Sequence, residues 1–297
     1  MAIRVTEQSR LTDHVGYLQG AESQFNKIQQ QLSTGHRVSV PSDDPEGTSI
    51  SMSYRRDIVF EAQMRRNIEG GIAYMNASES ALSSATDIIH RARELTVQGS
   101  NGTNSQSGLD AMAIEVDQLL QQMVQVANTN FGGAYIFAGQ KTDQPAYTTT
   151  VGGTGITAVT YQGDLGQRIR RISRQDTSAV NVAGPQGFGS VFQDLITLRD
   201  NLRAGSPNIK QSMADLDKDL DTVLAARADI GARVNSFNDA TSRSTSKDTD
   251  LQQLRANIED VDVAEAIVTL TARQNQLQAA LGAIGQTMNM TLMNYIR

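Results

Sequence analysis

The sequence has no cysteine and no tryptophan among its 297 residues. Without thiols there is no disulfide, no Cys-ligated zinc or iron–sulfur cluster and no thiol catalysis. Aromatics make up only 5%, so large core anchors are few. Histidine is almost as scarce. His14, His36 and His90 stand apart, none in an HExxH or HxxxH spacing, so no metal site is expected. Neither a Gly-rich phosphate loop nor a GxSxG elbow occurs, and no catalytic or cofactor-binding residue is assigned. The one carboxylate pair that looks deliberate, Asp43-Asp44, sits between prolines and reads as a helix start. These absences point away from an enzyme.

The formal charge of −6 disfavours a generally basic nucleic-acid binder. Apolar residues reach 39%, which suits long thin helices better than a thick core. No run reads as a transmembrane helix, so no membrane insertion is expected. The start MAIRVTEQSR carries charges and lacks the apolar core of a signal peptide. The chain is therefore expected to stay inside the cell or to leave by a route that reads no cleavable signal.

What is present is mostly helical periodicity. Prolines 41, 45, 145, 185 and 207 leave two long proline-free arms, and such arms permit long helices. In the first arm Leu11, Val15, Leu18, Phe25, Ile28 and Leu32 recur at helical steps, and Gly35 offers a C-cap. Asp44 can cap a second helix from Pro45 to about Gln98, with Gly70-Gly71 its weak point. A third helix is expected from about Leu109 to Asn128.

Between Phe131 and Phe192 the composition changes, with eleven glycines and half of all Phe and Tyr. The runs Tyr147–Val151, Ile156–Tyr161 and Arg168–Ile172 predict one small sheet of a few strands. Arg168, Arg170, Arg171 and Arg174 form a basic cluster that reads as the solvated face of a strand. Helical pattern resumes over Val191–Leu202, and again from Pro207 into the terminal helix. There Ile267, Leu270, Leu277, Leu281, Ile284 and Met288 space by threes, fours and sevens, as in a coiled-coil seam.

The fold class is thus mainly α, a long antiparallel helical bundle or coiled coil built from both terminal arms, with a small central β-rich domain. The expected division is 1–40, an N-terminal assembly helix; 41–135, the first part of a bundle; 136–190, the β-rich insert; 191–260, the second part of the bundle; and 261–297, a C-terminal assembly helix. From Gln274 to Ile296 there is no charged residue. Two readings of that face stay open. The helix is enclosed by other copies, where repeated charges would be costly, or it pairs only within its own chain.

Several stretches resemble one family. Leu32-Ser33-Thr34-Gly35-His36-Arg37-Val38, followed by Pro41-Ser42-Asp43-Asp44-Pro45, resembles the N-terminal signature of the flagellin superfamily. Arg91 to Gln98, followed by Asn101-Gly102-Thr103-Asn104, resembles its second signature. Ala134 to Thr142, which contains Tyr135, Phe137 and Gly139, is similar to the junction members of the superfamily, as are Tyr161-Gln162-Gly163-Asp164 and the ending Thr291 to Ile296. The resemblance implies a non-catalytic adaptor at the hook–filament junction of the bacterial flagellum, outside the cell. It implies export without a cleaved signal, an export chaperone at the C-terminal region, self-association in a ring, and hook-associated protein 1 and flagellin as partners. The alternatives are the bulk filament subunit and an intracellular coiled-coil scaffold.

Overall fold

A computed structural model describes residues 7–153 and 155–295, with side chains from 12 to 153 and from 155 to 286. Seven helices and six short strands occur among the described residues. The chain divides into two compact units, residues 61–246 and residues 1–60 with 247–297.

The central unit holds the core. It is built from the later part of α2 (Pro45–Gly99), from α3 (Gln106–Ala127), the short α4 (Gly184–Phe188), α5 (Val191–Arg203) and most of α6 (Ile209–Glu259). Ser105 caps α3, its hydroxyl accepting the Gly108 N–H at 3.3 Å. The spacing of α3 predicts a face of Leu109, Met112, Val116, Leu119, Leu120, Met123 and Val126; the first six are buried and Val126 is half-buried against the core. The helix packs against α5, and Leu82, Ile89, Leu195, Leu216 and Phe237 join one continuous core. Each such side chain is worth about 1.5–3 kcal/mol of burial. Gly70-Gly71 does not interrupt α2. A Cβ at Gly71 would lie 2.5 Å from the Phe237 ring, so the glycine admits a close approach of α6.

The strands differ from the single sheet expected. They form three separate antiparallel pairs: β1 (Asn130–Phe131) with β2 (Ala134–Tyr135), β3 (Tyr147–Gly152) with β4 (Gly155–Tyr161), and β5 (Ile169–Arg171) with β6 (Thr177–Ala179). Each pair is anchored to helices or loops rather than to the next pair. The Asn128 side chain, at the end of α3, exchanges two 2.8 Å hydrogen bonds with the Tyr147 backbone and so imitates a neighbouring strand. Tyr147 then packs edge-on to Phe188 and tilted against Phe192. From α6, Arg233 donates to the carbonyls of Ala179 and Asn181 at 3.3 and 3.0 Å.

Among the described side chains of this unit three charged ones are buried, Glu61, Arg199 and Asp219. Arg199 of α5 is 1% exposed. Its guanidinium reaches Asp117 of α3 at 2.9 Å, Asp200 at 2.9 Å and the carbonyl of Ile156 in β4 at 2.6 Å. Asp219 of α6 is also buried. One oxygen accepts from Ser190 at 3.0 Å and the other has no partner. Burial, then the nearby Asp194 carboxylate, pushes its pKa from 3.8 up to about 7. A raised carboxyl pKa stabilises the fold fully below the unfolded value of 3.8, and that stabilisation is lost as pH rises through about 7. Lowering the pH from about 8 to about 5.5 should therefore raise the melting temperature of this unit by roughly 5 °C. Asp219→Asn should flatten that dependence and melt higher than the parent near pH 8. Calorimetry across the pH range checks both.

The other unit consists of α1 (Glu7–Thr34), the first turns of α2, the end of α6 and α7 (Val263–Tyr295). One long helix from Pro207 into the C-terminal helix was expected. The chain instead breaks at Asp260–Asp262, where Asp262 accepts the N–H groups of Ala264 and Glu265 at 2.9 and 3.2 Å and caps α7. Helices α1 and α7 pack against each other. The end of α1 meets the start of α7, so the pair is antiparallel. Among the described side chains of this unit, the only buried apolar ones are Leu251 and Ala266. No described helix is long and apolar enough to cross a membrane.

Candidate assembly site: the clasp at the base of the terminal helices

The turn after α1 and the turn before α7 are bonded together. Gly35 ends α1 with φ +75°, and its N–H returns to Gln31 at 2.8 Å. Its carbonyl then accepts the N–H of Val261 at 3.0 Å, while the Arg37 N–H donates to the Glu259 carbonyl at 2.6 Å. His36 Nδ1 lies 3.1 Å from an Asp260 carboxylate oxygen.

The Pro41-Ser42-Asp43-Asp44-Pro45 stretch supplies side chains to this clasp. One Asp43 oxygen accepts the N–H groups of Ser39 and Val40, both at 3.2 Å, and the other meets Lys27 at 2.8 Å. These contacts, Lys27 first, hold the Asp43 pKa below its usual value. Asp44 accepts the Gly47 N–H at 2.8 Å and so caps α2, with Pro45 in its first position. A Cβ at residue 47 would come within 2.4 Å of that carboxylate. The Gly47 bond, then Arg37, lowers the Asp44 pKa. Arg37 bridges onward, donating to Asp44 and to the Ile258 carbonyl, each at 3.0 Å.

Glu259, at the last turn of α6, is the buried centre of the clasp. Arg55 of α2 donates to both of its oxygens at 2.8 and 2.9 Å, and Ser51 donates to one of them. Arg55, the largest influence, holds the Glu259 pKa down. A depressed carboxyl pKa stabilises above the ordinary range and is lost as pH falls through the folded value, so the clasp should loosen in acid. Glu259→Gln leaves Arg55 without a counter-charge. It should weaken the unit by about 2 kcal/mol, read as faster amide exchange at Arg37 and Val261.

The carboxylates at this site are engaged by groups of their own chain, and no described group of three or more His, Cys, Asp or Glu could hold a metal ion. The geometry ties helices together. The sequence exposed the Gly35 stop and the Asp44 cap, which are local. It missed Arg55–Glu259, whose partners are 204 residues apart, and the α7 start. The Asp262 cap followed three residues later by Glu265 was the available signal for that start.

The seam residues lie on the two helices that leave the clasp. Leu18, Phe25, Ile28 and Leu32 of α1 are half-buried, as are Leu270, Leu277 and Ile284 of α7. Val15, Ile267 and Leu281 are exposed, the last two at 51%. Leu11 and Met288 lie outside the described side chains. The other motif residues fall in the central unit. Tyr135 is half-buried in β2, and Phe137 is fully buried, edge-on to Phe188 at 4.8 Å. Gly139 has φ +71°, and a Cβ there would come within 2.1 Å of the Asp164 carbonyl. Asp164 accepts the N–H groups of Gln140 and Gly166, both at 2.8 Å. These contacts join the 134–142 segment to the Tyr161–Asp164 turn.

Residues 13–142 match the bacterial flagellin N-terminal helical region, and residues 211–296 match the bacterial flagellin C-terminal helical region. Together the two regions cover more than two thirds of the chain. The chain belongs to the flagellin superfamily. Flagellar hook-associated protein 3 of Salmonella typhimurium is 26% identical to this flagellin-superfamily chain, over 98% of each. The flagellar filament 30.7 kDa core protein of Treponema maltophilum is 28% identical over 86% of each. The structure of flagellar hook-associated protein 3 from Legionella pneumophila superposes with a TM-score of 0.62 at 17% identity. It covers 69% of this chain and 98% of that one, which shows a common fold.

Proposed function

We propose that this chain is a non-catalytic adaptor that joins the flagellar hook to its filament. The observation that carries the reading is the end-to-end match to hook-associated protein 3. It spans 98% of both chains, central β region included, whereas the filament core protein aligns over 86%. In this reading the protein works outside the cell as a ring between hook-associated protein 1 and the first layer of flagellin. Residues 1–40 and 261–297 are its assembly arms, residues 41–135 and 191–260 its supporting bundle, and residues 136–190 its insert. The described side chains of the arms bury so little in the free chain that the arms fold fully only among neighbours, because ordering a residue costs about 1–2 kcal/mol of backbone entropy. That marginal order fits export in an unfolded form with a chaperone on the C-terminal region.

A strain lacking the gene tests the proposal. It should assemble bare hooks and release abundant unpolymerised flagellin into the medium. Bare hooks with no flagellin outside would instead make this chain the filament subunit. Normal filaments would remove both flagellar readings.

A further inference from the structure

The central unit carries its charges in two separate places. Residues 130–190 hold five cations against three carboxylates, a net +2. The segments 87–121 and 191–221 hold eleven carboxylates against six cations, a net −5. Those segments converge. Arg93 of α2 pairs with Asp217 of α6, Arg91 of α2 with Glu115 of α3, and Arg199 of α5 with Asp117 of α3, at 2.7, 2.7 and 2.9 Å. A Cβ at Gly99 would lie 2.5 Å from Leu202 and 3.7 Å from Ile209. Four helices therefore meet in one acidic end.

The acidic end is not neutralised by its own chain. Asp215, Asp217, Asp219 and Asp221 alternate along α6. Asp217 and Asp215 pair with Arg93 and Lys218 and Asp219 is buried, which leaves Asp221 exposed and without a partner among the described residues. The basic pole is equally unspent. On β5, the side chains of Arg170 and Arg171 are exposed and have no partner among the described residues, and beside them Ile169 and Leu165 are 60% and 64% exposed.

The two poles lie at different heights. The Arg168 guanidinium stacks 5.0 Å from the Tyr74 ring, and Arg233 holds β6. Along α2, Tyr74 is nineteen residues from Arg93, and along α6, Arg233 is sixteen residues from Asp217. At 1.5 Å per residue the basic hairpin sits about 24–28 Å along the helices from the acidic end. A single copy cannot bring its own poles together.

We propose that the β5–β6 hairpin of one copy docks on the acidic four-helix end of a second copy of this chain. The proposal rests on the ring-forming reading above and supplies its lateral contact. Copies in such an assembly share one polarity, so the contact is head-to-tail. The offset between the poles staggers neighbours by about 24–28 Å along the helices, so the ring rises as a helical turn. Exposed Ile169 and Leu165 add apolar area beside the ion pairs.

Because the chain has no cysteine, paired cysteines report this contact without background. The full-length chain carrying Arg170→Cys and Asp221→Cys is expressed in the deletion strain, and isolated hooks are oxidised. A ladder of covalent multimers longer than dimers is expected, with each single variant remaining monomeric. A product that stops at the dimer, or a dimer from Arg170→Cys alone, would mean a two-fold contact and overturn the proposal. So would the absence of covalent species in hooks that carry the chain. The reduced sample shows separately whether the chain is on the hook at all, which tests the junction reading. In a second measure, Arg170→Glu with Arg171→Glu should reduce filament-bearing hooks about tenfold or more. Adding Asp221→Arg should restore a substantial part. Loss without rescue would show that the hairpin meets something other than its own kind, and overturn the proposal.

Discussion

Arg199→Ala should destabilise the central unit by about 3–5 kcal/mol, enough to unfold most of it at 37 °C if its total stability is near the lower end of the usual 5–15 kcal/mol. The side chain is 1% exposed and serves three acceptors on α3, α5 and β4. Removal leaves a cavity, an unpaired Asp117 and an unpaired Ile156 carbonyl together. Arg199→Lys should recover only part, since an ammonium cannot reproduce the planar fork. Denaturant melts followed by circular dichroism give the sizes. A double-mutant cycle with Asp117→Leu separates the pair from the cavity. If Arg199→Ala cost under about 1 kcal/mol, the guanidinium would not be the tie between those elements.

Leu281→Asp should act in the opposite place. Leu281 is 51% exposed in the single chain, so the change should leave the melt of the central unit within about 0.5 kcal/mol of the parent. In the assembly seam we propose, the same side chain is covered by neighbours. There a carboxylate forfeits about 1.5–3 kcal/mol per copy and repeats its charge around the assembly. Filament-bearing hooks in the complemented deletion strain should fall to near none, while the variant is still found in the medium. Normal filaments with Leu281→Asp would place the seam elsewhere.

The helices were legible because their signals are local and repeated. Pro45 after Asp44 starts α2, Gly35 ends α1, and the apolar steps of α3 name its buried face. The single sheet was misread. Three short runs with turn residues between them predict hairpins, but nothing in them says which strand pairs with which. Here Asn128 and Arg233 satisfy edges that a further strand would otherwise take. Arg199 follows Leu195 by four residues and precedes Leu202 by three, on the apolar face of α5. That position was the signal for a buried guanidinium, though its partners on α3 and β4 could not be read from spacing. Arg55 and Glu259 each look like ordinary surface charges in sequence, and only the fold makes them a pair.

Gly71 against Phe237 has a consequence for the order of synthesis. A Gly-Gly step costs about 2 kcal/mol of helix propensity, so α2 alone should fray at that point into two pieces. Phe237 packs over the step, yet it lies 237 − 71 = 166 residues later in the chain. During translation the first 99 residues exist for some time without the side chain that closes the gap. The long helix is therefore finished only after most of α6 has been made, and a nascent or truncated chain stays pliant in its middle until then.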